Sequence, residues 1–157
     1  MNAIVKPREI RRLAFQWLYQ FDAGAGGDRE TLRESTSPEA VEGLSDREIE
    51  RAWETACAAY ETREAADDLV TELAPTWPAH RQPAVDRAIF RLAYYEMNHG
   101  ETNPKTIINE AVELAKKFST ERSPAFVNGV LDKLLRKILP ESAVPTQDGP
   151  AAQQGEP

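Results

Sequence analysis

The stretch SPAFVNGVLDKLLRKILP, residues 123–140, decides the fold. Phe126, Val127, Val130, Leu131, Leu134, Leu135 and Ile138 recur at steps of three and four residues, so they share one stripe of an α-helix. Ser123-Pro124 reads as an N-cap followed by a proline at the first helical position, and Pro140 stops the run. Asn128-Gly129 is the anomaly, because a glycine inside a helix costs about 1 kcal/mol relative to alanine. Close helix packing is the expected reason for it, with ligand binding as the alternative.

The same periodicity extends towards the N-terminus. Asn103-Pro104 is a cap-plus-proline start, followed by Ile107, Ile108, Ala111, Val112, Ala115 and Phe118, with Lys116 and Lys117 at the negative end of the helix dipole. A helix from about Pro83 to Asn98 turns Val85, Ile89, Leu92 and Ala93 inward. Pro75 and Pro78 mark a stiff connector before it. Ser45-Asp-Arg-Glu48 has capping-box spacing, and behind it lie Ile49, Ala52, Trp53, Ala56 and Tyr60. Ala66, Leu69, Val70 and Leu73 continue the pattern after a break near Thr62. The first helix runs from about Pro7 to Asp22 on Ile10, Leu13, Ala14, Trp17, Leu18 and Phe21. The glycines of AGAGGD end it, and a short helix follows near Arg29 to Ser35.

No segment alternates with a period of two. The expectation is an all-α fold of six or seven helices in two small bundles packed together. Lobe 1 spans about 7–75 and lobe 2 about 82–139, together one domain over 1–139. Residues 140–157 contain neither lysine nor arginine and several prolines, and are expected to be disordered.

Several function classes are disfavoured at this level. The single cysteine, Cys57, rules out an internal disulfide and a cysteine metal cluster. No apolar run reaches the roughly 20 residues needed to cross a bilayer. The N-terminus MNAIVKPREIRRL lacks the apolar core of a secretory signal, so a cytoplasmic location is expected. His80 and His99 sit far apart at helix edges, and Cys57 lies among alanines. AGAGGD lacks the GK[ST] of a phosphate loop. The carboxylates between Glu48 and Glu72 are spaced as a solvated face. This chain is therefore read as a non-enzyme, with no metal and no cofactor.

The net charge of −7 is unevenly spread: residues 28–72 hold 14 acidic and 5 basic side chains, whereas residues 80–139 hold 7 acidic and 10 basic. At the N-terminus Lys6, Arg8, Arg11 and Arg12 face only Glu9. On a helical wheel Arg8, Arg11, Arg12, Phe15 and Tyr19 fall in a sector of about 100°, opposite Leu13, Trp17 and Phe21. Guanidinium groups for phosphates beside rings for unpaired bases suit single-stranded RNA. Two alternatives stay open: Phe15 and Tyr19 pack on a neighbouring helix, or they support a homodimer. A second candidate site places Lys116, Lys117 and Arg122 around Phe126, although the core is the favoured place for that ring.

INEAVELAKKF (108–118) followed by FVNGVLD (126–132) resembles the C-terminal signature of the NusB family. RLAYYE (91–96) and RRLAFQWLY (11–19) resemble its preceding segment and its first helix, so the likeness covers most of residues 8–138. It implies two helical bundles and a non-catalytic transcription antitermination factor. Such a factor binds boxA RNA of ribosomal RNA operons as a heterodimer with the ribosomal protein NusE, within an RNA polymerase complex. It further implies RNA contacts at Lys6, Arg8, Arg11, Arg12, Tyr19, Arg122 and Phe126, and a NusE-facing role for Asp86. Relatives can carry an acidic residue at the position of Arg122. The competing reading is a protein-binding helical adaptor without direct RNA contact.

Overall fold

The computed structural model describes residues 7–24, 28–99 and 101–138. Lys6 and the tail over 140–157, for which RNA contact and disorder were expected, lie outside these residues. The described chain forms seven helices: α1 (Pro7–Asp22), α2 (Arg29–Glu34), α3 (Asp46–Glu61), α4 (Arg63–Leu73), α5 (Ala84–His99), α6 (Pro104–Phe118) and α7 (Ser123–Ile138). Short 3-10 turns occupy Pro38–Val41 and Ala79–Arg81, and the described residues contain no strand.

Local chemistry sets most of the boundaries. The capping box is present: Glu48 N–H donates to Ser45 Oγ at 3.1 Å, and Ser45 N–H donates to Glu48 Oε1 at 2.9 Å. Asn103 Oδ1 accepts from Lys105 N–H at 2.8 Å and starts α6. Thr62 interrupts the helical pattern between α3 and α4, where the sequence places the break. The start of α7 differs from expectation. Ser123 is its first residue and is fully buried, with its hydroxyl turned towards Asp86 on α5 instead of capping the helix.

The core is organised around α5, which packs against α1, α3, α4, α6 and α7. Packed against five others, the helix buries Asp86, Ala88, Ile89, Phe90, Arg91, Leu92, Ala93 and Met97. A single apolar stripe captures only part of that set. α1 lies against α3 and α5; Trp17 meets Trp53 edge to face at 4.9 Å and Phe21 meets it at 5.6 Å. α6 pairs with α7, and α4 packs on α5 and α7. Buried residues of α1 and α3 to α7 join one apolar cluster.

Gly129 is exposed on α7, and a Cβ built there would meet nothing within 4 Å. Close packing, the favoured reason for Asn128-Gly129, is therefore wrong: both residues face outward.

Candidate nucleic-acid interface

One flank of α1 presents Arg8 and Arg12, and α6 runs beside it. Between them lies an open groove of about 320 Å³, lined by the cations Arg8, Arg11, Arg12, Lys116 and Lys117, the carboxylates Glu9, Glu110 and Glu113, and the ring of Phe118. The Arg12 guanidinium lies 5.6 Å from the Phe118 ring centroid and Lys117 Nζ lies 5.8 Å from it, both within cation–π range. Among the described residues Arg12 has no carboxylate partner. Arg8 pairs with Glu110 at 2.9 Å, but its side chain is 73% exposed. The contact is bidentate through Nε and Nη2, and the exposed guanidinium keeps further N–H groups reachable by a phosphate.

Two of the side chains assigned to this face from the wheel are spent elsewhere. Arg11 Nε donates to Glu96 at 2.8 Å and Arg11 Nη2 to Thr102 at 3.2 Å, with both members of the ion pair mostly shielded from water. Burial pushes the Glu96 carboxyl above its ordinary range, and the charge of Arg11 pulls the other way. Arg11 thus ties α1 to α5 and to the loop before α6 while also lining the groove. Phe15 is also buried, with its ring centroid 5.4 Å from that of Phe118. Its packing role, left open by the sequence, is the one realised, because the end of α6 covers what a wheel drawn for α1 alone leaves bare.

Tyr19 is exposed and lines a second depression of about 590 Å³ with Gln16, Gln20, Ser37, Val85 and Phe118. Phe118 borders both depressions, so the surface is continuous from Arg8 to Tyr19.

Arg122 and Phe126 border neither depression. Lys116 and Lys117, expected beside Phe126, gather at Phe118 instead. Phe126 is half-buried, 4.6 Å from the ring of Trp77 and 5.7 Å from that of Phe90. Arg122 is exposed at the α6–α7 loop, with no ion-pair partner among the described residues. Sequence reasoning passed over Phe118 as ordinary core and over Trp77 altogether. The available signal for Trp77 was a large aromatic side chain between two prolines of a connector.

Asp86 lies in the interior, which corrects its assignment as a partner-facing residue. Its carboxylate accepts from Ser119 Oγ at 2.6 Å and from Ser123 Oγ at 3.0 Å, and Ser123 Oγ lies 2.9 Å from Thr120 Oγ1. A buried carboxylate needs such donors. Here they hold the loop between α6 and α7 that carries Arg122.

The remaining candidates are unremarkable in position. His99 is exposed, with Nδ1 2.9 Å from the Tyr95 carbonyl, and His80 is exposed beside the 3-10 turn. Burial pushes the Cys57 thiol up, against nucleophilic use. Among the described residues no three His, Cys, Asp or Glu side chains cluster as metal ligands, and no helix is long and apolar enough to cross a membrane.

Residues 8–136 match the model of the NusB family. The transcription antitermination protein NusB of Symbiobacterium thermophilum is 42% identical over 136 residues, covering 82% of this chain and 88% of that one. Its counterpart in Trichlorobacter lovleyi is 43% identical over 128 residues, covering 81% and 88%. The crystal form of T. maritima NusB superimposes with a TM-score of 0.75 at 30% identity, covering 88% of this chain and 97% of that one. A chain from a complex of the antitermination factors NusB and NusE with double-stranded RNA gives 0.69 at 25% identity, covering 83% and 96%.

Proposed function

Because the chain belongs to the NusB family, we propose that it is a non-catalytic transcription antitermination factor that binds RNA through the α1–α6 surface, together with NusE. The observation that carries this reading is the gathering of Arg8, Arg12, Lys116 and Lys117 around Phe118 on a chain whose net charge is −7. An acidic protein that collects exposed cations about a ring on one face offers phosphates a local site and repels polyanions elsewhere. The solved assembly of a related NusB with NusE and double-stranded RNA supports RNA as the ligand and NusE as the partner.

In this reading the RNA is the boxA element of ribosomal RNA operons, and the factor acts in the cytoplasm within an RNA polymerase complex. Lys6, Arg8, Arg12, Lys116 and Lys117 neutralise phosphates, and Tyr19 and Phe118 offer rings to bases. Arg122 contributes from the α6–α7 loop, whose shape Asp86 maintains. Arg11, paired with Glu96 at the edge of the same groove, fixes the position of α1.

Anisotropy titration of labelled boxA RNA, with and without NusE and against a scrambled RNA, tests the proposal. Tighter binding of boxA in the presence of NusE, with little effect on the scramble, is the expected outcome. NusE binding with no RNA affinity at low salt would replace the proposal with a protein-binding adaptor.

A further inference from the structure

The connector between α4 and α5 holds an aromatic pair outside the α1–α6 surface. The ring centroids of Trp77 and Phe126 are 4.6 Å apart, their planes tilted by 46°, and both residues are half-buried. Phe126 also meets the buried ring of Phe90 edge to face at 5.7 Å, so protein rings flank it on two sides. Trp77 itself is pinned in place. Its carbonyl accepts from Gln82 Nε2 at 2.9 Å, Gln82 being buried, and its indole N–H donates to the Arg81 carbonyl at 3.3 Å. A ring held this way loses little entropy on binding.

Two exposed arginines adjoin the pair through their backbone. The indole bond keeps Arg81 next to Trp77. Arg122 lies one helical turn before Phe126, and its carbonyl accepts from the Phe126 amide at 3.3 Å. Both residues are exposed, and among the described residues neither guanidinium has an ion-pair or hydrogen-bond partner. The centre of a protein interface is depleted in charge, whereas a half-open ring with unpaired arginines on the adjoining backbone matches a single-stranded nucleotide and its phosphates.

We propose that Trp77 is a base-stacking residue for RNA, with Phe126 as the positioning ring behind it and Arg81 and Arg122 as phosphate contacts. The inference rests on the RNA-binding reading and extends the RNA path beyond Phe118 and Tyr19. It also changes the role expected of Phe126, which supports the stacking ring instead of taking the base itself.

The other two tryptophans are buried, Trp17 at 1% and Trp53 at 7% exposure, so iodide quenching of emission reports mainly on Trp77. Single-stranded boxA RNA added to the full chain with NusE should shield that emission from iodide. Trp77→Ala should weaken RNA binding about ten-fold, with the salt dependence unchanged because no phosphate contact is lost. Trp77→Phe, which keeps a ring against Phe126, should lose roughly three-fold. If Trp77→Ala does not fold, the iodide experiment and Trp77→Phe decide. Wild-type protein that binds RNA while Trp77 stays open to iodide, with Trp77→Phe binding as wild type, would overturn the inference and leave the RNA reading intact. Wild-type protein that binds no RNA would overturn both. A Trp77→Ala variant that loses NusE but keeps its affinity for RNA alone would assign the ring to a protein contact and overturn the inference.

Discussion

Arginine stands at both ends of α1, with opposite consequences. At the C-terminal end Asp22 pairs with Arg87 at 2.7 Å and with Arg91 at 3.3 Å, and Arg91 reaches Asp67 at 2.6 Å. The Arg91 side chain is 6% exposed, and Arg87 donates further to the carbonyls of Ala79 and Gln82. These cations join α1, α4, α5 and the connector, although the buried Arg91 Nη1 makes an ion contact with Asp22 and no hydrogen bond. At the N-terminal end the exposed Arg8 has one acidic partner, Glu110, and Arg12 has none among the described residues. Their sequence contexts, an arginine on a helix near carboxylates, are alike. Burial separates them: a shielded charge must be paired, whereas a solvated one can wait for a ligand.

The sharpest way to break that contrast is Arg91→Ala. It leaves Asp22 and Asp67 facing an emptied site, and we expect a loss of about 3 kcal/mol in urea unfolding. RNA affinity of the folded fraction should be unchanged. A loss below about 1 kcal/mol would place Arg91 with the weak surface pairs.

Arg11→Ala tests the intermediate case and should cost about 2 kcal/mol at neutral pH by stranding Glu96. The pH dependence has a definite sign. Burial already raises the Glu96 pKa above its unfolded value, and removing Arg11 raises it further. The folded state then binds a proton in a range where the unfolded state does not, so stability from this group grows as pH falls and is lost as pH rises through the folded pKa. The penalty of Arg11→Ala should therefore shrink between pH 7.5 and pH 5. A penalty that is constant or grows on acidification would remove Glu96 as its cause.

Arg12→Ala should have the smallest effect on the fold, within about 0.5 kcal/mol of wild type. It should weaken RNA binding several-fold and flatten the salt dependence by about one phosphate equivalent. An unchanged slope would move the phosphate path off the α1–α6 groove.

Much of the secondary structure was legible because it depends on neighbours in the chain. Pro7 and Asp22 bound α1 as its periodicity indicates, Ser45 and Glu48 close their box, and Asn103 caps α6. The candidate site was legible in its chemistry and less so in its membership. Arg8, Arg12 and Tyr19 are on the surface as the wheel of α1 suggests, while Arg11 and Phe15 from the same sector are covered by residues of α5 and α6. Asp86 shows the same limit. Its acidic side chain suggests a surface role, but a core helix turns it towards two serines that are 33 and 37 residues further along.

Sequence by itself thus determined the helices, their order and the family, since periodicity, caps and prolines act over a few residues and the NusB signature is contiguous. Tertiary structure alone decided which cations are free and which are consumed, that Arg12 of α1 reaches Phe118 of α6, and that Trp77 meets Phe126. Those outcomes depend on contacts between residues distant in the chain, and on water being excluded from one side of a helix and left on the other.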